Sequence, residues 1–167
     1  MSYVIKSIFQ KGKRIGWRVM LMHKLYALSL PVFQNLSGNS RAPWEVSTKQ
    51  LLAYPINSLG RALGCFLQQH NYILIDKFES HDVFHILLGY KPVVIDEARM
   101  QYCLWGSGRR SLYACGICIV SGIMFPELWV DFKYHYQRGR GLYNFSDWDF
   151  EALLSADIHQ LQKSIVR

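Results

Sequence analysis

Cysteine is scarce in this chain, with four residues in 167: Cys65, Cys103, Cys115 and Cys118. Four cysteines at irregular spacing are too few for the disulfide framework of a secreted domain, so we expect a protein of a reducing compartment. Cys115 and Cys118 have the spacing of a redox pair, but they lie within an apolar run and no strand-helix unit precedes them. Small cysteines packed on a helix explain this pair better than redox chemistry does.

A hydrophobic run long enough to cross a bilayer is also lacking. The most apolar stretch, Ser111 to Pro126, has 16 residues without a charge, whereas a membrane-spanning helix needs about 20 apolar residues. We expect a buried central helix there instead. Its small residues Gly116, Ser121 and Gly122 would let a neighbouring helix or an apolar chain approach closely.

Acidic residues are few relative to basic ones, since 12 Asp and Glu stand against 19 Lys and Arg and leave a formal net charge of +7. This charge favours anionic partners such as nucleic acids, acidic phospholipids or carboxylated small molecules. We expect no nucleic-acid binding, because the basic residues are scattered and no helix-turn-helix, RNP or zinc-finger spacing accompanies them. A cytoplasmic protein held peripherally on the inner membrane face fits these features.

The N-terminal segment places basic residues before an apolar stretch from Ile15 to Phe33, as a signal peptide does. Arg18, His23 and Lys24 interrupt that stretch and no small-residue cleavage site follows, so we expect a mature helix. Such a helix suits an anionic membrane surface, and equally the solvated edge of a packed core. The candidates for membrane contact are Lys13, Arg14, Trp17, Arg18, Lys24 and Tyr26.

What the sequence has in abundance is apolar and aromatic side chains: half of the residues are apolar, and there are 10 Tyr, 9 Phe and 5 Trp. In a chain of this length they suffice for one core, so we expect a single domain over residues 1–167. The apolar spacing is helical, and the one strand-like run, Ile73 to Phe78, has no partner. The sequence therefore predicts an all-α fold of about six to eight helices, with Ser58 as one N-cap.

Two helices are expected in the C-terminal part of the chain. The first runs from Pro126 to about Gln137 and ends in a flexible basic turn, Arg138 to Gly141. The second is amphipathic and is capped by the segment Ser146 to Trp148. Its predicted inner positions are Leu153, Leu154, Ile158, Leu161 and Ile165.

Several metal-ligand side chains occur together in the middle of the chain. If the segment around them is helical, His81 and His85 lie one turn apart, and Asp82 shares their flank because each residue advances by about 100°. Gly89 is a suitable helix terminator, so the chain can fold back and bring Glu97 to the same point. The sequence therefore predicts a metal centre on a central helix pair.

Imidazole and carboxylate ligands suit zinc best, with iron, manganese or magnesium as alternatives. The absence of thiolate from the set favours a working site over a purely structural one. The pattern also leaves open a hydrogen-bonded cluster without a metal. A metalloprotease is disfavoured, because the acid after the first histidine is Asp82 and the His-Glu-x-x-His signature has the longer glutamate.

The run His81-Asp82-x-x-His85, eleven further residues and then Glu97 resembles the signature of the fourth coenzyme Q biosynthesis protein, the Coq-four family. One departure is Asp96, where that family commonly has glycine. An added carboxylate there bears on metal preference and on substrate charge.

Two flanking segments are similar to the same family: Tyr54 to Arg61 upstream, and Gly141 to Trp148 downstream. With them the resemblance covers roughly residues 50 to 160. It divides the single domain into an N-terminal helix and loop, residues 1–46, and a family core, residues 47–167.

The resemblance implies that His81, Asp82, His85 and Glu97 are the metal ligands. It also implies a role in ubiquinone (coenzyme Q) biosynthesis, namely metal-dependent oxidative decarboxylation and hydroxylation at a ring carbon of a prenylated hydroxybenzoate-derived precursor. The candidates for binding the precursor's carboxylate, unless they are solvated turn residues, are Arg109, Arg138 and Arg140.

Two other functions remain open at this stage. The first is a non-catalytic, lipid-binding organiser of a quinone-biosynthesis complex. The second is a relative recruited to another isoprenoid or natural-product pathway. The expected partners are a prenylated quinone precursor or another isoprenoid lipid, the membrane surface and other quinone-biosynthesis proteins. A homodimer is compatible with the sequence.

Overall fold

The computed structural model describes residues 16–25, 42–76 and 78–167, and in these ranges the regular elements are helical. The all-α prediction of six to eight helices is confirmed for this part of the chain, which forms a single domain. The first helix, α1, is described over residues 16–25. The others are α2 (Thr48–Leu52), α3 (Leu59–His70), α4 (Glu79–Leu88), α5 (Val94–Gly106), α6 (Leu112–Met124), a 3-10 helix (Pro126–Leu128), α7 (Trp129–Arg140) and α8 (Ile158–Ser164).

The early helices begin and end where local chemistry dictates. Ser47 forms a capping box with Gln50 at the start of α2, and the predicted N-cap Ser58 accepts from the Arg61 backbone N–H at 3.2 Å. Gly89 ends α4 with a φ of 74°, which glycine adopts at little cost. Its N–H donates to the His85 carbonyl at 2.9 Å. The helix that carries the two histidines is therefore bounded as expected.

Helix α5 lies between two hydrophobic clusters and contributes to both. The larger cluster includes its Met100 and Leu104 and packs α2, α3 and α4 against the C-terminal segment. The smaller one includes its Val94 and Ala98 and joins α1 to α6 and α7. Fully burying a side chain such as Phe84 stabilises the fold by about 2–3 kcal/mol. The start of α5, where Glu97 lies, is thereby held firmly beside α4.

The basic turn predicted at Arg138 to Gly141 is wrong, because α7 continues to Arg140. Gly139 is buried where α7 crosses α5 and approaches Gly106. A Cβ on Gly139 would overlap the Cys103 carbonyl, and one on Gly106 would overlap the Tyr136 carbonyl. Glycine here permits close helix packing, so the pattern does not mark a turn.

The long final helix predicted after Ser146 is also wrong: α8 begins only at Ile158, with Asp157 as N-cap. The residues before it form turns. Their Leu154 and Ala156 carbonyls accept from the first N–H groups of α3 at 2.8 and 2.9 Å. These carbonyls accept hydrogen bonds from N–H groups that have no partner within α3. In a helix through Leu154 the same carbonyls would bond within that helix and would not be available to α3.

The expectation that Ser111 to Pro126 forms a buried central helix is corrected too. Only one side of α6 is buried, whereas Leu112, Ile119 and Ile123 on the other side are 83%, 59% and 73% exposed. No single described helix is long and apolar enough to span a membrane. Helix α6 and the segment Pro126–Arg140 pass that test together, but they are bent by 108°.

The predicted N-terminal helix is confirmed over residues 16–25. The Arg18 guanidinium pairs with Glu127 at 2.6 Å and so fixes α1 to the fold. Because this charge is already paired within the protein, Arg18 is a poor candidate for membrane contact. The candidates Lys13, Arg14 and Tyr26, and most of the predicted loop that follows, lie outside the described residues.

Candidate metal centre

Three of the four predicted ligands converge between α4 and α5. Their donor atoms, from His81, His85 and Glu97, all lie within 4.8 Å of one another. The His81 Nε2 atom is 3.0 Å from Glu97 Oε1, and the His85 Nε2 atom is 3.2 Å from Glu97 Oε2. The fold-back predicted from Gly89 therefore brings the glutamate to the two histidines.

These separations fit a shared divalent ion. Ligand atoms that surround zinc tetrahedrally at 2.0–2.1 Å lie about 3.3 Å from one another. The nitrogen-to-oxygen distances of 3.0 and 3.2 Å in the cluster need only a small expansion to admit an ion. With three protein ligands, a fourth position stays open for a substrate or water, as in catalytic zinc sites. The cluster can therefore hold a metal ion.

His85 is held in the tautomer that a metal requires. Its Nδ1 atom donates to the Tyr90 carbonyl at 3.1 Å, and Phe66 stacks on its ring at a centroid distance of 5.8 Å. Because Nδ1 carries the proton, the neutral ring turns a lone pair on Nε2 toward the Glu97 carboxylate. Two acceptors at 3.2 Å repel each other unless a second proton or a metal ion lies between them.

Gln101, one turn after Glu97 on α5, holds the carboxylate in place. Its side chain is fully buried, and its Nε2 atom donates to Glu97 Oε1 at 2.8 Å. Its Oε1 atom has no partner among the residues that the structure describes. An orphaned buried oxygen costs about 1–3 kcal/mol, which is tolerated where the amide serves to orient a neighbouring ligand.

The charges of the cluster shift two pKa values in opposite directions. Burial lowers the pKa of His81, but the negative charges of Glu97 and Asp82 outweigh it and raise the pKa to about 9. Burial raises the pKa of Glu97, but His81 and His85 outweigh it and hold it well below its usual range. Without a metal, His81 is therefore protonated at neutral pH and forms an ion pair with Glu97.

Metal binding at pH 7 is expected to release about one proton, because an imidazolium cannot ligate a metal. Since the metal-free His81 has a pKa of about 9, metal affinity should rise with pH up to that value and level off above it. The slope should be about tenfold per pH unit. Calorimetry of zinc binding in buffers of different ionisation enthalpy measures the released protons. A release near zero at pH 7 would contradict the ion pair.

The fourth predicted ligand, Asp82, lies on the outer side of His81. Its Oδ1 atom is 3.6 Å from His81 Nδ1, on the side of the ring opposite to the atom that faces Glu97. It is not one of the three donors that converge. In this arrangement Asp82 orients the ring and raises its basicity, as carboxylates beside metal-binding histidines do.

The structure separates the three candidate arginines. Arg109 stacks over the Phe84 ring at 4.8 Å, where burial lowers its pKa and the charge of Glu97 partly opposes that effect. Arg138 instead donates to the Leu88 carbonyl at 2.8 Å and lines a cleft of about 520 Å³ that contains none of the three ligands. Arg140 is exposed at the end of α7. Arg109 is thus the candidate whose charge interacts with the charge of Glu97.

Aromatic side chains cover the outer side of the centre. Phe78 stacks on His81 at a centroid distance of 4.6 Å and meets the Tyr113 ring edge-on at 6.0 Å. Burial raises the pKa of Tyr113, and the charge of Glu97 adds to it. Sequence reasoning missed these residues, and it missed Gln101, although the i, i+4 spacing of Gln101 from Glu97 on a helix was a usable signal.

The fold and the cluster define an all-α protein with a buried His-His-Glu centre that can hold a metal ion. No protein-family model and no curated protein matches the sequence. Among solved structures the chain is similar to a protein from Nostoc punctiforme described as a "Putative ubiquinone biosynthesis protein". The TM-score is 0.61 at 13% identity, over 89% of this chain and 81% of the other. At this identity the likeness concerns the fold.

Proposed function

We propose that the protein is a metal-dependent enzyme of ubiquinone biosynthesis that acts on a prenylated hydroxybenzoate-derived acid. The observation that carries the proposal is the convergence of His81, His85 and Glu97 with His85 held in the metal-binding tautomer. The description of the Nostoc punctiforme protein of similar fold supports the pathway. The resemblance of the sequence to the Coq-four family supports the reaction.

The proposed reaction replaces the ring carboxylate by a hydroxyl group. It releases carbon dioxide and takes two electrons from the substrate, so an oxidant such as dioxygen takes part. A divalent ion bound by the three ligands would act as a Lewis acid toward the ring oxygens or the carboxylate. Zinc suits the donors, and a redox-active ion such as iron or manganese would suit the oxidation.

The residues around the ligands have matching roles in this proposal. Arg109 is the cation that attracts the substrate carboxylate, because its guanidinium interacts with Glu97 and lies over Phe84. Phe78 and Tyr113 restrict water at the outer side of His81 and offer an apolar wall to the aromatic ring. Gln101 keeps Glu97 oriented throughout.

A second candidate is a non-catalytic organiser that presents a prenylated lipid to other quinone-biosynthesis proteins. The ion pair between protonated His81 and Glu97 favours it, because that pair compensates the buried charge of Glu97 without a metal. In this case the three side chains stabilise the α4–α5 contact and perform no chemistry.

The test is restoration of ring decarboxylation and hydroxylation in cells that lack this activity. Glu97→Gln removes a charge with little change in volume, so we expect folding to persist and turnover to fall by on the order of 10²-fold or more. Asp82→Asn should cost less, about tenfold, because Asp82 acts through His81. Turnover is measured from the decarboxylated product by mass spectrometry.

The matched control is Glu151→Gln, the same chemical change at an exposed position outside the cluster. Each variant is checked for its folded state by thermal melting. Full restoration by folded Glu97→Gln and folded Asp82→Asn would refute the catalytic function and leave the organiser as the better account.

A further inference from the structure

The side of α6 that no described element covers is apolar along its length. Leu112, Ile119 and Ile123 recur at helical spacing and are 83%, 59% and 73% exposed. Gly116 lies between them, and a Cβ added there would meet nothing within 4 Å. The segment from Ser111 to Pro126 carries no charge. Exposed apolar side chains that share one side of a helix mark a binding face.

The apolar side of α6 continues onto the neighbouring elements. Trp129 and Val130, at the start of α7, are 61% and 84% exposed, and the Trp129 indole N–H donates to the Gly122 carbonyl of α6. On α1, Arg18 donates to the Met124 carbonyl at 2.9 Å, which fixes α1 beside the end of α6, and Trp17 of α1 is 61% exposed. We call these residues the outer apolar face: Trp17, Leu112, Ile119, Ile123, Trp129 and Val130.

The charges around the outer apolar face are positive in balance. Glu127 is paired with Arg18 at 2.6 Å, and Arg99 bridges Asp96 and Asp131 at 2.7 Å each. Two lysines on the helices that carry the face are exposed: Lys24, two turns after Trp17 on α1, and Lys133, one turn after Trp129 on α7. Neither forms an ion pair with any residue that the structure describes. The carboxylates are thus occupied, whereas the lysine charges are available to an anionic partner.

We propose that the outer apolar face docks the protein onto an anionic phospholipid bilayer, with α6 lying in the plane of the interface. Indole rings with an N–H and lysines around an apolar centre suit the boundary between head groups and acyl chains. The 13 residues of α6 extend about 20 Å, less than the hydrocarbon thickness of about 30 Å, so docking involves no span. A second copy fits less well, because it would bring the unpaired lysines of both copies together.

Docking through this face brings the metal centre close to the lipid. Leu112 points outward on α6, and the next residue, Tyr113, is buried against Phe78, which stacks on His81. Helix α6 and the Phe78 ring therefore lie between the bilayer and His81. The docking itself needs no metal, so its test is independent of the proposed reaction.

Vesicle flotation of the full chain tests the apolar part of the face. We expect binding to vesicles of phosphatidylcholine with phosphatidylglycerol, and a drop in partition coefficient of at least about tenfold for Ile119→Asp with Ile123→Asp. The matched control is Ile56→Asp, at a residue that is 84% exposed and lies between α2 and α3. It should bind as the unchanged protein does, with or without added zinc.

The charged part is tested with Lys24→Gln and Lys133→Gln, each expected to weaken binding to the anionic vesicles about fivefold. Lys49→Gln and Lys163→Gln, at exposed positions on α2 and in the last turn of α8, are the controls and should have little effect. Binding should also fall with salt and be weaker to vesicles of phosphatidylcholine alone.

Two results would overturn the proposal. One is equal vesicle binding by the Ile119→Asp, Ile123→Asp protein and by the Ile56→Asp control, with both shown to be folded by circular dichroism. The other combines two observations: the unchanged protein does not bind vesicles, and it sediments as a dimer that becomes a monomer when Ile119 and Ile123 are both replaced by Asp. In that case the face joins two copies of the chain.

Discussion

Replacing His81 and His85 together by alanine is expected to lower the bound divalent metal from about one equivalent per chain to less than about a tenth. The two imidazoles supply two of the three converging donors, and Glu97 alone is a weak ligand in water. Elemental analysis of protein prepared without a metal-affinity tag measures the content. Magnesium needs a separate assay, because it exchanges readily and is held largely through water and oxygen.

The control for that experiment removes two histidines elsewhere, with His70→Ala and His159→Ala. Neither belongs to the converging group, so the metal content should stay unchanged. If loss of the buried His85 prevents folding, Glu97→Gln tests the same site with almost no change in volume and should lower metal affinity by on the order of tenfold or more. Unchanged metal content in folded variants of both kinds would remove this site from consideration.

The core of the centre was predictable because its determinants are local. His81 and His85 lie on one side of a helix because they are four residues apart, and Gly89 indicates where that helix ends. The position of Asp82 was not predictable at this precision. Adjacent residues on a helix diverge by about 100°, so the carboxylate reached the Nδ1 side of the His81 ring and left the Nε2 side to Glu97.

The errors in the fold came from contacts that are distant in sequence. An apolar run such as Ser111 to Pro126 indicates a helix, but it does not state whether one side or both sides are covered. The carbonyls of Leu154 and Ala156 are engaged by the start of α3, far earlier in the chain, and that contact overrides the helical pattern around them. For the same reason the proposed membrane contact centres on the side of α6 that no described element covers, with Trp17 and Lys24 kept from the N-terminal candidates and Arg18 already paired with Glu127.

Gly139→Ala is expected to destabilise the protein by about 3 kcal/mol, which for a domain of this size lowers the Tm by about 6–12 °C. The new Cβ would overlap the Cys103 carbonyl, a backbone atom that no side-chain rotation can move aside. Helix α7 must then separate from α5, which opens the stacking of Phe132 on Tyr102 of α5. Thermal unfolding followed by circular dichroism measures the change.

Gly106→Ala should have a similar effect, because its Cβ would overlap the Tyr136 carbonyl on the facing side of the same crossing. Gly116→Ala is the matched control: it also lies within a helix, but nothing is within 4 Å of its Cβ position. Alanine is the better helix former by about 0.5–1 kcal/mol, so this variant should unfold at a slightly higher temperature. The close packing of α5 and α7 would be refuted if Gly139→Ala unfolded at the same temperature as Gly116→Ala and above the unchanged protein. In that case the turn predicted at residues 138–141 would again be the better interpretation.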